Sequence, residues 1–440
     1  MRAPRRHFLF GSLAAVAGGL GARPAAAASE TVTVGFMGVR GRGHDLIKYF
    51  SKRPDVEIAY LADVDARLLA GRADEVASLR GHRPKTVGDV RHVLDDKSVD
   101  ALVVATPDHW HALGTIWACQ AGKDVYVEKP TSHNIWESRK MVEAARKHGR
   151  VVQVGAQCRS APYVTAAIEY LQSGKLGEVH FVKVFNSKPR STIGNLPDKP
   201  VPAGVNYDMW LGPAPARPFN ENHFHYAWHW FWNYSGGDII NDGVHQLDLA
   251  RWCIGRKHPR SVYSSGGIQF FKDAQETPDT QVVVWDYDKL TMAFEQTIWT
   301  PYQQKTPFNL RDRDVLPKWP FSGTRVEIYG SKQWMMLGRH GDGWEVFDGD
   351  FKSVAHGYGR QSNEPHVANF LDCVRSRNKP NADIEELHYS TLLCHYGNIS
   401  YRLGRKLKID PETEGFVDDP EANGLVKRTY RKPWVVPEVV

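Results

Sequence analysis

The chain has 440 residues, of which 42% are hydrophobic and 24% charged, so it is long enough for two cored domains and too apolar for disorder. Its formal charge is +6, but Arg2, Arg5, Arg6 and Arg23 lie in a leader-like segment without acidic residues, and cleavage near Ala28 would leave +2. A body that close to neutral gives no electrostatic case for nucleic acid. No apolar run in it approaches the roughly 18 residues of a membrane span.

The first element is a processing signal rather than part of the fold. Arg5-Arg6 is followed by the apolar pair Phe8-Leu9, a mildly hydrophobic Gly/Ala-rich run over 8–22, and small residues at 25–28. Pair, apolar region and small-residue site stand in the order of a twin-arginine signal over 1–28, which predicts a periplasmic or otherwise exported protein. The competing reading is a short helix with a chance Arg-Arg pair. Cys119, Cys158, Cys253, Cys373 and Cys394 are odd in number and form no CxxC pair, which argues against a zinc site or disulfide framework and for buried thiols.

From 29 to 155 short β-branched runs alternate with helix-like stretches. Strands are expected at 31–36, 56–63, 101–105, 124–128 and 151–154, with a helix over 135–148 that ends at Gly149. The run at 101–105 is apolar throughout, as befits a parallel strand covered on both faces. This spacing predicts an α/β class, with a doubly wound, Rossmann-type sheet in the first domain. Over 156–440 the texture changes. A helix over 161–173 precedes strands at 179–185, 281–285, 290–295, 325–329 and 333–337, several alternating in polarity, and helices follow over 364–375 and 385–403. That pattern predicts an α+β domain with a mostly antiparallel, open sheet. The charged, proline-rich last twenty-odd residues are expected to wrap over the surface.

The chemistry-bearing residues follow the same order. Gly38, Gly41 and Gly43 punctuate a turn between the first strand and first helix, where backbone N–H groups can meet a pyrophosphate. Arg40 takes the middle glycine position of G-x-G-x-x-G, and Arg40 or Arg42 could pair with phosphate. Without other support such a loop is also an ordinary turn. Asp63 ends the second strand twenty residues after Gly43, where a carboxylate can accept both ribose hydroxyls and repel a 2′-phosphate. That favours NAD and leaves NADP possible, with Asp65 as the competing acid. Thr106-Pro107-Asp108-His109-Trp110-His111 follows the third expected strand, and Glu128-Lys129-Pro130 ends the fourth.

In this order the set resembles the Gfo/Idh/MocA family, in the branch exported with a twin-arginine signal. The resemblance implies a Rossmann domain joined to a largely antiparallel α/β domain. It also implies that Lys129 meets both substrate hydroxyl and nicotinamide, that Glu128 lies beside the cofactor, and that Thr106, Pro107 and His111 line its site. The family usually has Asn where Asp108 stands. The segment 236–248 resembles the family's Gly-Gly-Gly-x-x-x-Asp-x-Gly-x-His-x-x-Asp stretch, so that His245 matches the catalytic acid/base. Asn241 falls at the family's catalytic Asp, with Asp242 adjoining. On a regular helix one residue turns a side chain by about 100°, so either a local distortion re-aims Asp242 or Lys129 and His245 act alone.

A lysine beside a developing alkoxide and a histidine ready to take a proton suit oxidation of a carbinol. The aromatic run 223–232 suits a sugar face through Trp228, His229 and Trp230, and equally a core or a subunit interface. Arg159 and Tyr170 are further pocket candidates. No metal-ligand spacing stands out. The reading is an NAD(P)-dependent oxidoreductase acting on a sugar, polyol or glycoside with a tightly held cofactor. The alternatives are a redox-neutral glycoside hydrolase working through a keto-sugar, and a non-catalytic sugar-binding protein. By analogy with the family, a homodimer or tetramer is expected.

Overall fold

The structure, a computed structural model, describes residues 31–440; the expected export signal lies outside the described residues. The first sheet has six parallel strands, β1 (Val32–Met37), β2 (Val56–Ala62), β3 (Lys85–Val87), β4 (Ala101–Val104), β5 (Asp124–Val127) and β6 (Val152–Val154). Their order is β3-β2-β1-β4-β5-β6. The order reverses between β1 and β4, which opens a crevice at the carboxyl ends of these strands. β4 and β5 are buried along their whole length, as expected of strands covered by helices on both sides. The helix Ile135–Lys147 begins where the Asn134 side chain accepts a hydrogen bond from the Glu137 N–H.

The second sheet has nine strands: β7 (Val179–Ser187), β8 (Ser261–Gly267), β9 (Thr280–Tyr287), β10 (Leu290–Thr297), β11 (Arg325–Gly330), β12 (Trp334–Gly338), β13 (Trp344–Phe347), β14 (Ser353–Gly357) and β15 (Leu407–Lys408). Their order is β14-β13-β12-β11-β7-β10-β9-β8-β15. Every pair is antiparallel except β7 with β10. β10 alternates buried and half-buried residues from end to end. Its inward side chains, Met292 and Phe294, join Leu247, Trp285, Leu392 and Tyr396 in the core beneath the helices Val244–Ile254 and Ile384–Leu403. On the opposite face Tyr329, Trp334 and Phe347 stack in a row. β8 and β14 carry glycine, serine and few large apolar residues, which is why sequence periodicity does not announce them.

The chain returns to the first sheet twice. The helix Asn363–Ser376 sets Val367, Phe370 and Leu371 into the core formed by Phe36, Phe50 and Tyr126. The final segment does more than wrap over the surface: Trp434 is buried against Trp110, at 5.3 Å between ring centroids, and Val436 and Val440 are buried with it. All five cysteines are free thiols, with Cys253 half-buried and the others buried. Among the described residues no helix is long and apolar enough to cross a membrane.

Phe370 is fully buried and meets both Phe50 and Tyr126 edge-on. Phe370→Ala is expected to lower stability by about 3–5 kcal/mol. Phe351, 83% exposed, serves as the control, and its alanine variant should stay within about 0.5 kcal/mol. Thermal or denaturant unfolding of the two variants checks the difference.

Candidate active site

A cavity of about 600 Å³ opens at the crevice of the first sheet and runs to the edge of the second. The glycine loop forms one end. Gly38 has φ +91, and a Cβ there would come within 2.7 Å of the Ala105 carbonyl oxygen. Gly41, at φ +51, precedes the helix Arg42–Ser51, whose N-terminus carries no side-chain cap. Such an end offers N–H groups and a positive dipole to a phosphate. Gly43 does not line the cavity. A Cβ there would meet the Gly38 carbonyl oxygen at 2.1 Å, so its role is to let the helix sit on the loop. Arg40 is exposed at the cavity wall. Arg42 also lines the cavity, with its Nε donating to Glu128 Oε1 at 2.8 Å and its Nη2 to Asn363 Oδ1 at 3.0 Å.

Asp63, not Asp65, is the acid that faces the cavity. Its oxygens accept from the Val39 and Asp65 N–H groups, both at 2.9 Å, and burial raises its pKa. Asp65 caps the next helix and pairs with Arg67 and His225. Thr106 and Pro107 line the cavity beside the loop. His111 does not; its Nδ1 and Nε2 lie 2.7 Å and 3.0 Å from the carbonyl oxygens of Pro130 and Thr106, tying the two motif segments together. The glycine turn, uncapped helix end and Asp63 suit the pyrophosphate and ribose of a dinucleotide.

Lys129 joins the two halves of the site. From the end of β5 its Nζ donates to the Asn241 carbonyl oxygen at 2.6 Å and lies 3.3 Å from Asn241 Oδ1. Burial lowers its pKa, while Glu128, Asp108 and Asp242 pull the other way. Asp108 is fully buried in the cavity wall, accepts a hydrogen bond from the Ser235 hydroxyl, and is pushed up to about 7 by burial.

Ile239–Gly243 form a π-helical turn ahead of the helix Val244–Ile254. Both Asn241 and Asp242, which lie on this widened turn, line the cavity. Asn241 Nδ2 donates to Asp238 at 3.1 Å, while its oxygens hold Lys129. Asp242 accepts from Arg339 and lies 2.9 Å from Lys188 and 2.7 Å from Lys305. Those cations hold its carboxyl well below the usual range despite burial, so it stays ionised. His245 faces the same cavity from the first turn of its helix. Burial, reinforced by Arg339 and Lys129, keeps the imidazole neutral.

Trp228 and His229 also line the cavity, their rings stacked at 3.6 Å. Burial pushes His229 down to about 3. Trp230 corrects the sequence expectation. It is buried behind the wall, with the Arg190 guanidinium 5.6 Å from its ring, and packs with Trp210, Phe231 and Tyr234. The aromatic run is therefore mostly core, with one edge facing the cavity. Arg159 is a second correction, because its guanidinium is buried in a paired contact with Asp248, at 2.7 Å, outside the cavity lining. Tyr170 lies outside it too, packed on Trp344 with its hydroxyl donating to Gln333. The residues missed are Arg190, Lys305, Arg311, Arg339 and His340, which line the cavity from loops that carry no motif. Among the described residues, no group of three or more His, Cys, Asp or Glu is placed to hold a metal.

Residues 32–156 match the sequence profile of the oxidoreductase family's NAD-binding Rossmann fold, and residues 183–296 and 332–436 that of its C-terminal alpha/beta domain. Curated relatives include the scyllo-inositol 2-dehydrogenase (NAD(+)) of Bacillus subtilis, 28% identical over 42% of this chain and 44% of the relative. A glycosyl hydrolase family 109 protein of Stenotrophomonas maltophilia is 29% identical over 46% and 47%. The matched regions span 65% or less of the curated relatives' own lengths. Among solved structures, the aldose-aldose oxidoreductase from Caulobacter crescentus complexed with glycerol superposes with a TM-score of 0.64 at 16% identity, covering 86% of this chain and 100% of that one. With one profile over the first sheet and the other over most of the second, the chain belongs to the Gfo/Idh/MocA oxidoreductase family and carries that family's NAD-binding Rossmann domain.

Proposed function

We propose that this protein oxidises a CH–OH carbon of a sugar, polyol or glycoside, using NAD that it holds tightly. One observation carries the reading: the Lys129 ammonium and the neutral His245 imidazole face the same cavity as the glycine loop and Asp63. The N–H groups of Gly38 to Gly41 and the following helix end would take the pyrophosphate, with Arg40 beside it, and Asp63 would take the ribose hydroxyls. The bound nicotinamide supplies the hydride acceptor. Lys129 steadies the alkoxide that develops on the substrate. His245 accepts the hydroxyl proton, and the nearby Asp242 carboxylate favours the imidazolium that results. Trp228 and His229 offer an aromatic edge to the sugar ring. The Arg5-Arg6 signal supports export of the folded, loaded protein, which in turn calls for a cofactor that does not leave.

The test is to purify the protein natively, denature it, assay the released nicotinamide, and measure sugar turnover without added cofactor. Stoichiometric NAD(H) whose redox state changes with sugar is expected. In that assay His245→Ala should keep its nicotinamide and lose a factor of about 10²–10⁴ in kcat. Absence of retained nicotinamide, together with no binding of added NAD, overturns the reading. Asp63→Ala should shrink the preference for NAD over NADP in a binding titration; an unchanged ratio would remove Asp63 from cofactor choice.

Asp108 favours a second reading, the redox-neutral glycoside hydrolase. A carboxyl pushed up to about 7 beside the site is a proton donor, which elimination of a glycosidic leaving group needs and simple oxidation does not. Glycoside cleavage with the cofactor unchanged overall would favour it. The raised pKa also has a stability consequence. The fold favours the protonated acid, so this contribution is complete below the unfolded value of about 4 and is lost as pH rises through about 7. Asp108→Asn should therefore gain melting temperature relative to the parent between pH 4 and pH 8. A difference that stays flat with pH would show that Asp108 titrates normally.

A further inference from the structure

The end of the cavity beyond His245 is crowded with cations. Arg190 follows β7, Lys305 and Arg311 lie between β10 and β11, and Arg339 follows β12; all four line the cavity. The carboxylate lining this end is Asp242, which meets Lys305 at 2.7 Å, Arg339 more closely, and Arg190 at 3.8 Å. Behind the wall Asp238 pairs with both Lys188 and Arg190, and Lys188 also lies 2.9 Å from Asp242. Asp342, buried near Arg311 and Arg339, is itself shifted toward its neutral form by burial. With Lys188 the lining cations make five around two ionised carboxylates, Asp238 and Asp242.

Partly buried like charges crowded into one space are unfavourable unless something answers them. Lys305 registers the imbalance: burial, with Arg339, Lys188 and Arg190 nearby, pushes it down to about 8 although a carboxylate lies against it. Among the described residues, Arg190 Nε and His340 Nε2, both buried at this end, have no hydrogen-bond partner, and neither has Asp242 Oδ2. The cations are held in place rather than loose. Arg190 lies over the Trp230 ring and donates to Asp238 at 2.9 Å, and Arg311 Nε donates to the Thr306 carbonyl oxygen at 2.9 Å. The dinucleotide phosphates do not account for them. Those belong to the glycine loop on the first sheet, whereas these side chains come from loops of the second. Planar guanidinium groups converging on one space are suited to an oxyanion.

We propose that this end of the cavity binds an anionic group of the substrate, so that the sugar acted on carries a carboxylate or a sulfate ester. The inference rests on the oxidoreductase reading and narrows it from sugars in general to acidic sugars. The anion would lie among Arg190, Lys305, Arg311 and Arg339, and would set the carbinol carbon between Lys129 and His245.

The experiment compares matched sugars on the natively purified holoprotein: glucose with glucuronate, galactose with galacturonate, and N-acetylglucosamine with its 6-sulfate. Cofactor reduction is followed by absorbance, and binding by calorimetry. An acidic member should show a KM or Kd at least tenfold below its neutral partner, with the gap narrowing at high salt. Uronate preference identifies a carboxylate; preference for the 6-sulfate identifies a sulfate ester. Arg311→Gln should collapse the acidic-to-neutral ratio at least fivefold. Oxidation of neutral sugars as well as, or better than, acidic ones overturns the acidic-sugar inference and leaves the oxidoreductase reading standing. If no sugar is oxidised, that reading fails, and calorimetry still decides the anion site: uronate or sulfated-sugar binding without neutral-sugar binding supports it, and no binding of either acidic class overturns it.

Discussion

The site depends on one contact, the bond from the Lys129 ammonium to the Asn241 carbonyl oxygen. It links the carboxyl end of β5, in the sheet that forms the dinucleotide crevice, to the turn that begins the helix bearing His245. A buried ammonium is tolerated only where acceptors and opposite charges surround it. Here Asn241 supplies the acceptor, while Glu128, Asp108 and Asp242 supply the charge. Each of those partners has a second duty. Glu128 fixes Arg42 at the glycine loop, Asp108 takes the Ser235 hydroxyl, and Asp242 gathers the cations at the far end.

Asn241 and Asp242 both belong to the π-helical turn at Ile239–Gly243. Both line the cavity from this turn. Asn241 holds the lysine while Asp242 faces the cation group. With its carboxyl held ionised by Arg339, Lys188 and Lys305, Asp242 is a poor proton acceptor. Its charge pulls the His245 imidazole toward the protonated form, against the burial and cations that lower it. The carboxylate expected one position earlier has thus been replaced by an amide that binds the lysine and a neighbouring acid that balances charge.

The aromatic run shows how one segment serves two ends. Trp210, Trp230, Phe231 and Tyr234 are buried together and form a small core of their own. Trp228 and His229 are the edge of that core which meets the cavity. A rigid aromatic mass behind the wall holds Arg190 at a fixed distance from Asp238 and Asp242. The same segment thus forms a core and one edge of the cavity wall.

Local pattern was enough for much of this protein. The apolar runs at β1, β2, β4, β5 and β6, the glycine turn, Asp63 and the Glu128-Lys129-Pro130 strand end are local signals, since parallel strands and phosphate turns impose their residue types on adjacent positions. Alternation likewise marked β9 and β10, whereas β8 and β14, poor in large side chains, went unannounced. Only the tertiary structure could separate Asp63 from Asp65, commit Arg42 to Glu128, remove Arg159 and Trp230 from the cavity, and aim Asp242 into it. Those outcomes depend on which groups meet across tens or hundreds of residues, as Arg42 does with Glu128 and Asn363, and Lys129 with Asn241. The cation group is the extreme case. Arg190, Lys305, Arg311 and Arg339 stand in separate loops with no shared spacing, and only the folding of the second sheet brings their charges into one space.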